Sequence, residues 1–220
     1  MSENINELLL FDWSINVNQL VFSGICIILL APLLASYCYS YTINALGYNI
    51  SFKDSFVVMR ISQLGKYLPG GIWHYMGLVR LTNKAGATLI ESTSGLLINN
   101  GAIFISGSII TIFSFIIYEF NTSLSFVILG ISLINLFIGS ITIFPKFLLK
   151  IFKKLRKIVN NYFSWFNKKN EFSMINISLK KIIHLIILHL IEWLFIGIGF
   201  YFLVCGLTTP LKFSLFSGIL

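Results

Sequence analysis

Three stretches of this sequence carry side chains that can hold a charge or move a proton, against a background that mostly cannot. Residues 60–74 hold Arg60, Lys66, Tyr67 and His74 around Pro69, Gly70, Gly71 and Trp73. Residues 91–100 hold Glu91, a Ser-Thr-Ser run and the pair Asn99-Asn100. The third stretch sets His189 three residues before Glu192, on one face of any helix, with His184 further upstream. Lys66 is a compact charge that suits phosphate, and Tyr67 adds a hydroxyl, so the pair can bind a lipid phosphate. The same two residues also make an ordinary interfacial anchor. Arg60 precedes Lys66 by nearly two helical turns, which predicts a shared face. His74 can donate to a phosphate and ionises near neutral pH, or it forms an interfacial aromatic pair with Trp73. Arg80 and Lys84 read as topology charges.

A carboxylate within an apolar span is expensive and by default marks function. Glu91 is therefore expected either to meet a headgroup or to pair with Lys66 or Arg80. Asn99 and Asn100 either line the same path or hold helices together. His189-x-x-Glu192 has the spacing of half a carboxylate-bundle metal site, but such sites need further Glu residues on facing helices, and Glu91 is the sole additional candidate. No metal and no cofactor are expected. Cys26, Cys38 and Cys205 show no CxxC spacing and no clustered His, and read as small buried hydrophobes. There is no P-loop and no Gly-rich dinucleotide run, and no catalytic residue is assigned.

The elements that must position these residues are membrane spans. The chain is 56% hydrophobic and 11% charged, with 21 Phe, and its mean hydropathy is +0.86. A soluble domain carries about 25% charged residues, so the expected fold class is all-α, a polytopic integral membrane helix bundle. Four apolar runs read as spans at about 19–42, 88–118, 123–145 and 182–206, the second long enough to tilt or break. A fifth run from Phe213 is too short to span. The segment before the first span is acidic (Glu3, Glu7, Asp12) and lacks the basic start of a secretory signal, so insertion is expected to rest on the spans. All of the 16 Lys and Arg except Lys212 fall in 43–87 or 146–181. Four spans put both segments on one side, which the positive-inside rule makes cytoplasmic. The basic loop 146–181 mixes Lys with Phe, Tyr and Trp; it reads as topology charge plus an anchor, or as an interfacial helix that senses lipid or docks a partner. Positive-inside charge also accounts for the basic balance, so no nucleic-acid partner is expected.

Residues 51–87 are too polar for an ordinary span and too aromatic for a plain loop. Two short helices around Pro69-Gly70-Gly71 predict a re-entrant hairpin at about 52–86. Broken backbone at membrane depth is tolerated only against protein or a wet cavity, so such a hairpin must line something. The run SQLGKYLPGGIWHYMG, 62–77, with ALGYNISFKDSFVVMRIS before it and LVRLTNKAGATLIESTSGLLINN after it, resembles the lysylphosphatidylglycerol synthase transmembrane-region family, also called flippase-like domain proteins. The strong match covers about 40–100. The resemblance implies a membrane domain that moves a lipid or lipid-linked glycan across the bilayer in envelope biogenesis, alone or beside a cytosolic transferase. Members usually have one more span at the start and a second Pro-Gly-Gly hairpin near where this sequence stops, so residues 1–220 are expected to form a single, partial membrane domain.

The leading expectation is translocation of a phospholipid or lipid-linked glycan. Arg60, Lys66, Tyr67 and His74 would capture the headgroup, and Glu91, Asn99, Asn100, His189 and Glu192 would line its path. Pro69, Gly70, Gly71 and Trp73 would shape the hairpin. A non-catalytic scaffold for a separate cytosolic or membrane synthase is the second reading, and a membrane-embedded lipid transferase the third. The abundance of Ile, Asn, Lys and Phe fits an AT-rich genome and a multi-pass protein of a bacterial cytoplasmic membrane.

Overall fold

The structure, a computed structural model, describes residues 19–118, 123–143 and 177–207. The acidic N-terminal stretch, the turn at 119–122, most of the basic loop 146–181 and the last apolar run lie outside the described residues. The described residues are helical, with no strand among them. Helix α1 is Gln19–Ala45, α2 Phe52–Gln63, α3 Trp73–Lys84, α4 Leu89–Tyr118, α5 Ser123–Ile143 and α6 Leu179–Leu207; a 3-10 turn, Leu64–Tyr67, follows α2.

Four of these helices, α1, α4, α5 and α6, are long and apolar enough to cross a membrane. Their sides leave large apolar groups uncovered, among them Phe22, Ile116, Ile134 and Phe137, each more than half exposed. Water would make such surfaces associate, whereas lipid solvates them. The chain is a multi-pass, all-α membrane protein. The expected spans match these helices to within three residues at each end, and the 88–118 run forms one unbroken helix.

Pro32–Trp193 forms one compact unit, and the described residues at 19–31 and 194–207 belong to another. In the second unit, a Cβ on Gly24 would stand 2.7 Å from Gly199 O, so α1 and α6 approach there backbone to backbone. In the larger unit, α4 and α5 cross in the same way. A Cβ on Gly101 would meet Gly139 O at 2.9 Å, and one on Gly139 would meet Gly101 O at 2.8 Å. Lipid gives helices no hydrophobic reason to associate, so close packing over small residues and hydrogen bonds across the seam must hold them. Ser108 Oγ supplies one such bond, donating to Ser132 O at 2.9 Å. Cys38, Ile98, Ala102, Ile143, Ile182 and Leu185 form a buried cluster contributed by α1, α4, α5 and α6.

The segment between α1 and α4 folds as two helices about a turn. Ser51 caps α2, accepting from Asp54 N at 3.1 Å. The α-helix ends at Gln63, tightens into the 3-10 turn and breaks at Pro69. Gly70 (φ +104°) and Gly71 (φ +67°) adopt left-handed backbone that side chains resist. Trp73 Nε1 donates to Pro69 O at 2.7 Å and closes the turn. Gly65 lets the two arms touch, since a Cβ there would stand 2.7 Å from His74 N. The arms are fixed near their far ends. Ser55 Oγ donates to Ser36 O on α1 at 2.7 Å, and Tyr48 OH donates to Ala85 O. Thr82 Oγ1 gives its proton to Leu78 O, so the buried Tyr39 OH donates to Thr82 Oγ1 at 2.8 Å. Tyr39, Ile43, Val58, Met59, Leu78 and Leu96 complete the core between this segment, α1 and α4.

Candidate functional site

Near the midpoint of α6, His189 and Glu192 face inward on one turn, as their spacing predicts. His189 is 1% exposed and its Nδ1 stands 2.7 Å from Glu192 Oε2; Glu192 is 17% exposed. The other ring nitrogen, Nε2, lies 3.3 Å from Oδ1 of the buried Asn99 on α4. An amide oxygen only accepts, so Nε2 carries its hydrogen toward Asn99. The two acceptors Nδ1 and Oε2 then share one proton. Asn99, separated from His189 by 90 positions, thus fixes the tautomer of the pair.

Arg60, on α2, feels the charge of this cluster. Its Nη2 donates to Pro32 O at 3.5 Å and its Nη1 to Gln63 Oε1 at 3.3 Å, while Nε is buried with no acceptor among the described residues. Its guanidinium lies 5.6 Å from the centre of the Phe56 ring, a cation–π contact. Burial pulls the Arg60 guanidinium down from its usual range, and the negative charge of Glu192 opposes that shift. Arg60, Asn99, His189 and Glu192, which the sequence scatters over more than 130 positions, therefore form one electrostatic neighbourhood.

The shared face predicted for Arg60 and Lys66 is not what forms. Six positions at about 100° each fall about 120° short of two full turns, so even an unbroken helix sets the two on different sides. Arg60 is half-buried, whereas Lys66 is exposed and Tyr67 is 87% exposed, next to the exposed Leu64, Leu68, Ile72 and Trp73. His74 is half-buried against Tyr75, with a buried Nδ1 that finds no partner among the described residues.

Glu91 pairs with neither Lys66 nor Arg80. Thr88 N donates to Glu91 Oε2 at 2.7 Å and Glu91 N donates to Thr88 Oγ1 at 3.2 Å. That reciprocal pair is a capping box, and it satisfies the first amides of α4. The signal was present as T-L-I-E, but the weight given to a carboxylate in a span obscured it. Among the described residues the one ion pair is His189 with Glu192. Asn100 is half-buried, and among the described residues no hydrogen bond joins it to the cluster; His184 packs its ring against Tyr41 instead.

One member of the neighbourhood escaped the sequence reading. Cys38, fully buried on α1, brings its Sγ within 4.8 Å of ligand atoms of both His189 and Glu192. Its separation from His189 by some 150 positions hides the relation from any spacing rule. The reading of Cys38 as a hydrophobe without His neighbours is corrected on this point, while Cys26 is exposed and Cys205 half-exposed. Compared with protein-family models, with curated proteins and with solved structures, the chain matches none of them, and its functional reading rests on these residues.

Proposed function

We propose that this chain handles a phospholipid or lipid-linked glycan as it passes between leaflets, in a bacterial cytoplasmic membrane, as the likeness of 62–77 to the lysylphosphatidylglycerol synthase transmembrane-region family implies. The observation that carries the reading is Arg60: a half-buried cation with a buried, unpartnered Nε–H, balanced by Glu192. An unsatisfied buried donor is costly and calls for a partner. A headgroup phosphate is an acceptor of the right charge and supplies what Nε lacks.

The apolar tip around Leu64, Leu68, Ile72 and Trp73 suits the edge of a bilayer, and Lys66 and Tyr67 sit beside it, where phosphates lie. A hairpin that dips into the membrane here would present Lys66 to incoming headgroups and Arg60 to bound ones. The acyl chains would stay in lipid throughout.

The test is lipid scrambling by the purified chain in proteoliposomes containing a fluorescent phospholipid. The natural sequence is compared with Lys66→Ala and Glu192→Gln, each checked for folding by circular dichroism. Movement that both substitutions reduce at least tenfold supports the reading. A folded chain that moves no lipid, or moves it equally well in both variants, overturns it.

A further inference from the structure

The three donors around the buried histidine form a set that a metal ion would use. We infer that Cys38, His189 and Glu192 bind one divalent ion of the zinc class. The inference rests on their geometry and is independent of the lipid reading.

Each residue offers a ligand atom, a thiol sulfur, a ring nitrogen and a carboxylate oxygen, and all three lie within 4.8 Å of one another. Around a tetrahedral zinc, with bonds of about 2.0–2.3 Å, neighbouring donors stand roughly 3.3–3.8 Å apart. The widest separation here closes by about 1 Å and the 2.7 Å His189–Glu192 contact opens by roughly 0.6–1.1 Å, changes that side-chain rotation at Cys38 and Glu192 can supply. Mixed sulfur, nitrogen and oxygen donors suit a borderline ion such as Zn2+ better than the oxygen-seeking Mg2+ or Ca2+.

A second, independent feature points the same way. Asn99 Oδ1 faces His189 Nε2 at 3.3 Å. A histidine ligand normally donates its other N–H to such an outer partner, which orients the ring and frees the first nitrogen. Here the freed atom is Nδ1, and it faces Glu192 Oε2 at 2.7 Å. Two acceptors at that distance must have a cation between them. In the metal-free chain it is a proton; a metal ion would take its place, with Cys38 deprotonated as the third ligand. The ligands lie on α1 and α6 within the Pro32–Trp193 unit, so a bound ion would cross-link these two helices, with Asn99 of α4 behind the histidine.

The site needs one carboxylate and one cysteine, brought together from helices far apart in sequence. The test uses Co2+ as a coloured stand-in for zinc and a full chain carrying C26S and C205S, so that Cys38 is the sole thiol. The expected result is one Co2+ per chain with a sulfur-to-cobalt charge-transfer band, erased by added Zn2+. The band should vanish with Cys38→Ser, and Asn99→Ala should weaken binding 10–100-fold. X-ray absorption of the zinc-loaded C26S/C205S chain should show one sulfur at about 2.3 Å and lighter ligands at about 2.0–2.1 Å. A folded C26S/C205S chain with no such band, a band that persists in Cys38→Ser or His189→Gln, or a zinc shell without sulfur overturns the proposal.

Discussion

Gly139 and Gly130 lie in the same apolar helix, and a methyl group added to each should give opposite outcomes. At Gly139 the new Cβ would sit 2.8 Å from Gly101 O, 2.9 Å from Ile105 Cγ1 and 3.2 Å from Phe104 Cβ. Non-bonded carbon contacts rest at about 3.5–4.0 Å, so α4 and α5 must part by roughly 0.5–1 Å. The nearest obstacle is backbone, which cannot rotate aside. Overpacking of this kind costs about 1–3 kcal/mol. At Gly130 nothing lies within 4 Å of the added Cβ. There only the helix-interior gain remains, about 0.5–1 kcal/mol for Gly to Ala. That gain is common to both sites, so the difference between the variants isolates the steric cost, a factor of roughly 5–150 in the unfolding equilibrium. Denaturant titration in detergent micelles, followed by circular dichroism, measures both. Gly139→Ala should be the less stable and Gly130→Ala at least as stable as the natural chain. Equal stability, or the reverse order, refutes the close crossing of α4 and α5.

Glu91→Ala should cost about 0.5–1.5 kcal/mol through loss of its bond to Thr88 N at the start of α4, yet leave lipid movement per folded molecule unchanged; a proteoliposome assay with a parallel stability measurement separates the two. Asn99→Leu should destabilise the chain by about 1–3 kcal/mol, because it leaves the buried His189 Nε2–H without an acceptor, and the control Asn100→Leu should cost less in the same denaturant titration. Tyr39→Phe should cost about 0.5–1.5 kcal/mol, since the hydroxyl bond to Thr82 is lost while Thr82 keeps Leu78 O; thermal unfolding in micelles reads it. Gly70→Ala places a side chain at φ +104°, at a cost of about 1–3 kcal/mol, and faster proteolysis near the turn is the measure.

The spans were legible because apolar length is a one-dimensional signal. Four runs and four helices agree closely, since about 20 residues of unbroken hydropathy admit little else. The pair of arms at 52–63 and 73–84 was legible too, because Pro69 and two glycines leave few alternatives. The site was legible only where its partners share a helix. His189 and Glu192 could be joined by their spacing, whereas Asn99 and Cys38 reach them through the register in which α4 and α1 pack on α6. That register depends on interhelical contacts such as Gly107 of α4 against the Trp193 ring of α6, about which local sequence says nothing. Arg60 and Lys66 show the complementary failure. Their spacing of nearly two turns suggests one face, but six positions at 3.6 residues per turn stop about 120° short of it, and one side chain is half-buried while the other is exposed.

The polar bonds of the hairpin are distributed unevenly, and the unevenness bears on how it would work. Its outer ends are held by Ser55 on Ser36 O and by Tyr39 on Thr82. Its turn is held by Trp73 on Pro69 O, a bond within the hairpin itself. Between them Arg60 bonds Pro32 O on α1, at the long limit of a hydrogen bond, and feels Glu192 on α6. The cation that feels the charge of Glu192 is therefore carried by an element fixed at one end and bounded by an exposed apolar tip at the other. A ligand bridging Arg60 and the His189–Glu192 pair would add a contact at the middle of that element. Local opening is easiest where buried contacts are few, so such a ligand should slow hydrogen exchange first in 60–72, with the anchored residues 52–58 and 78–84 less affected. Uniform protection along both arms, or none, would mean that the hairpin and the cluster do not act together.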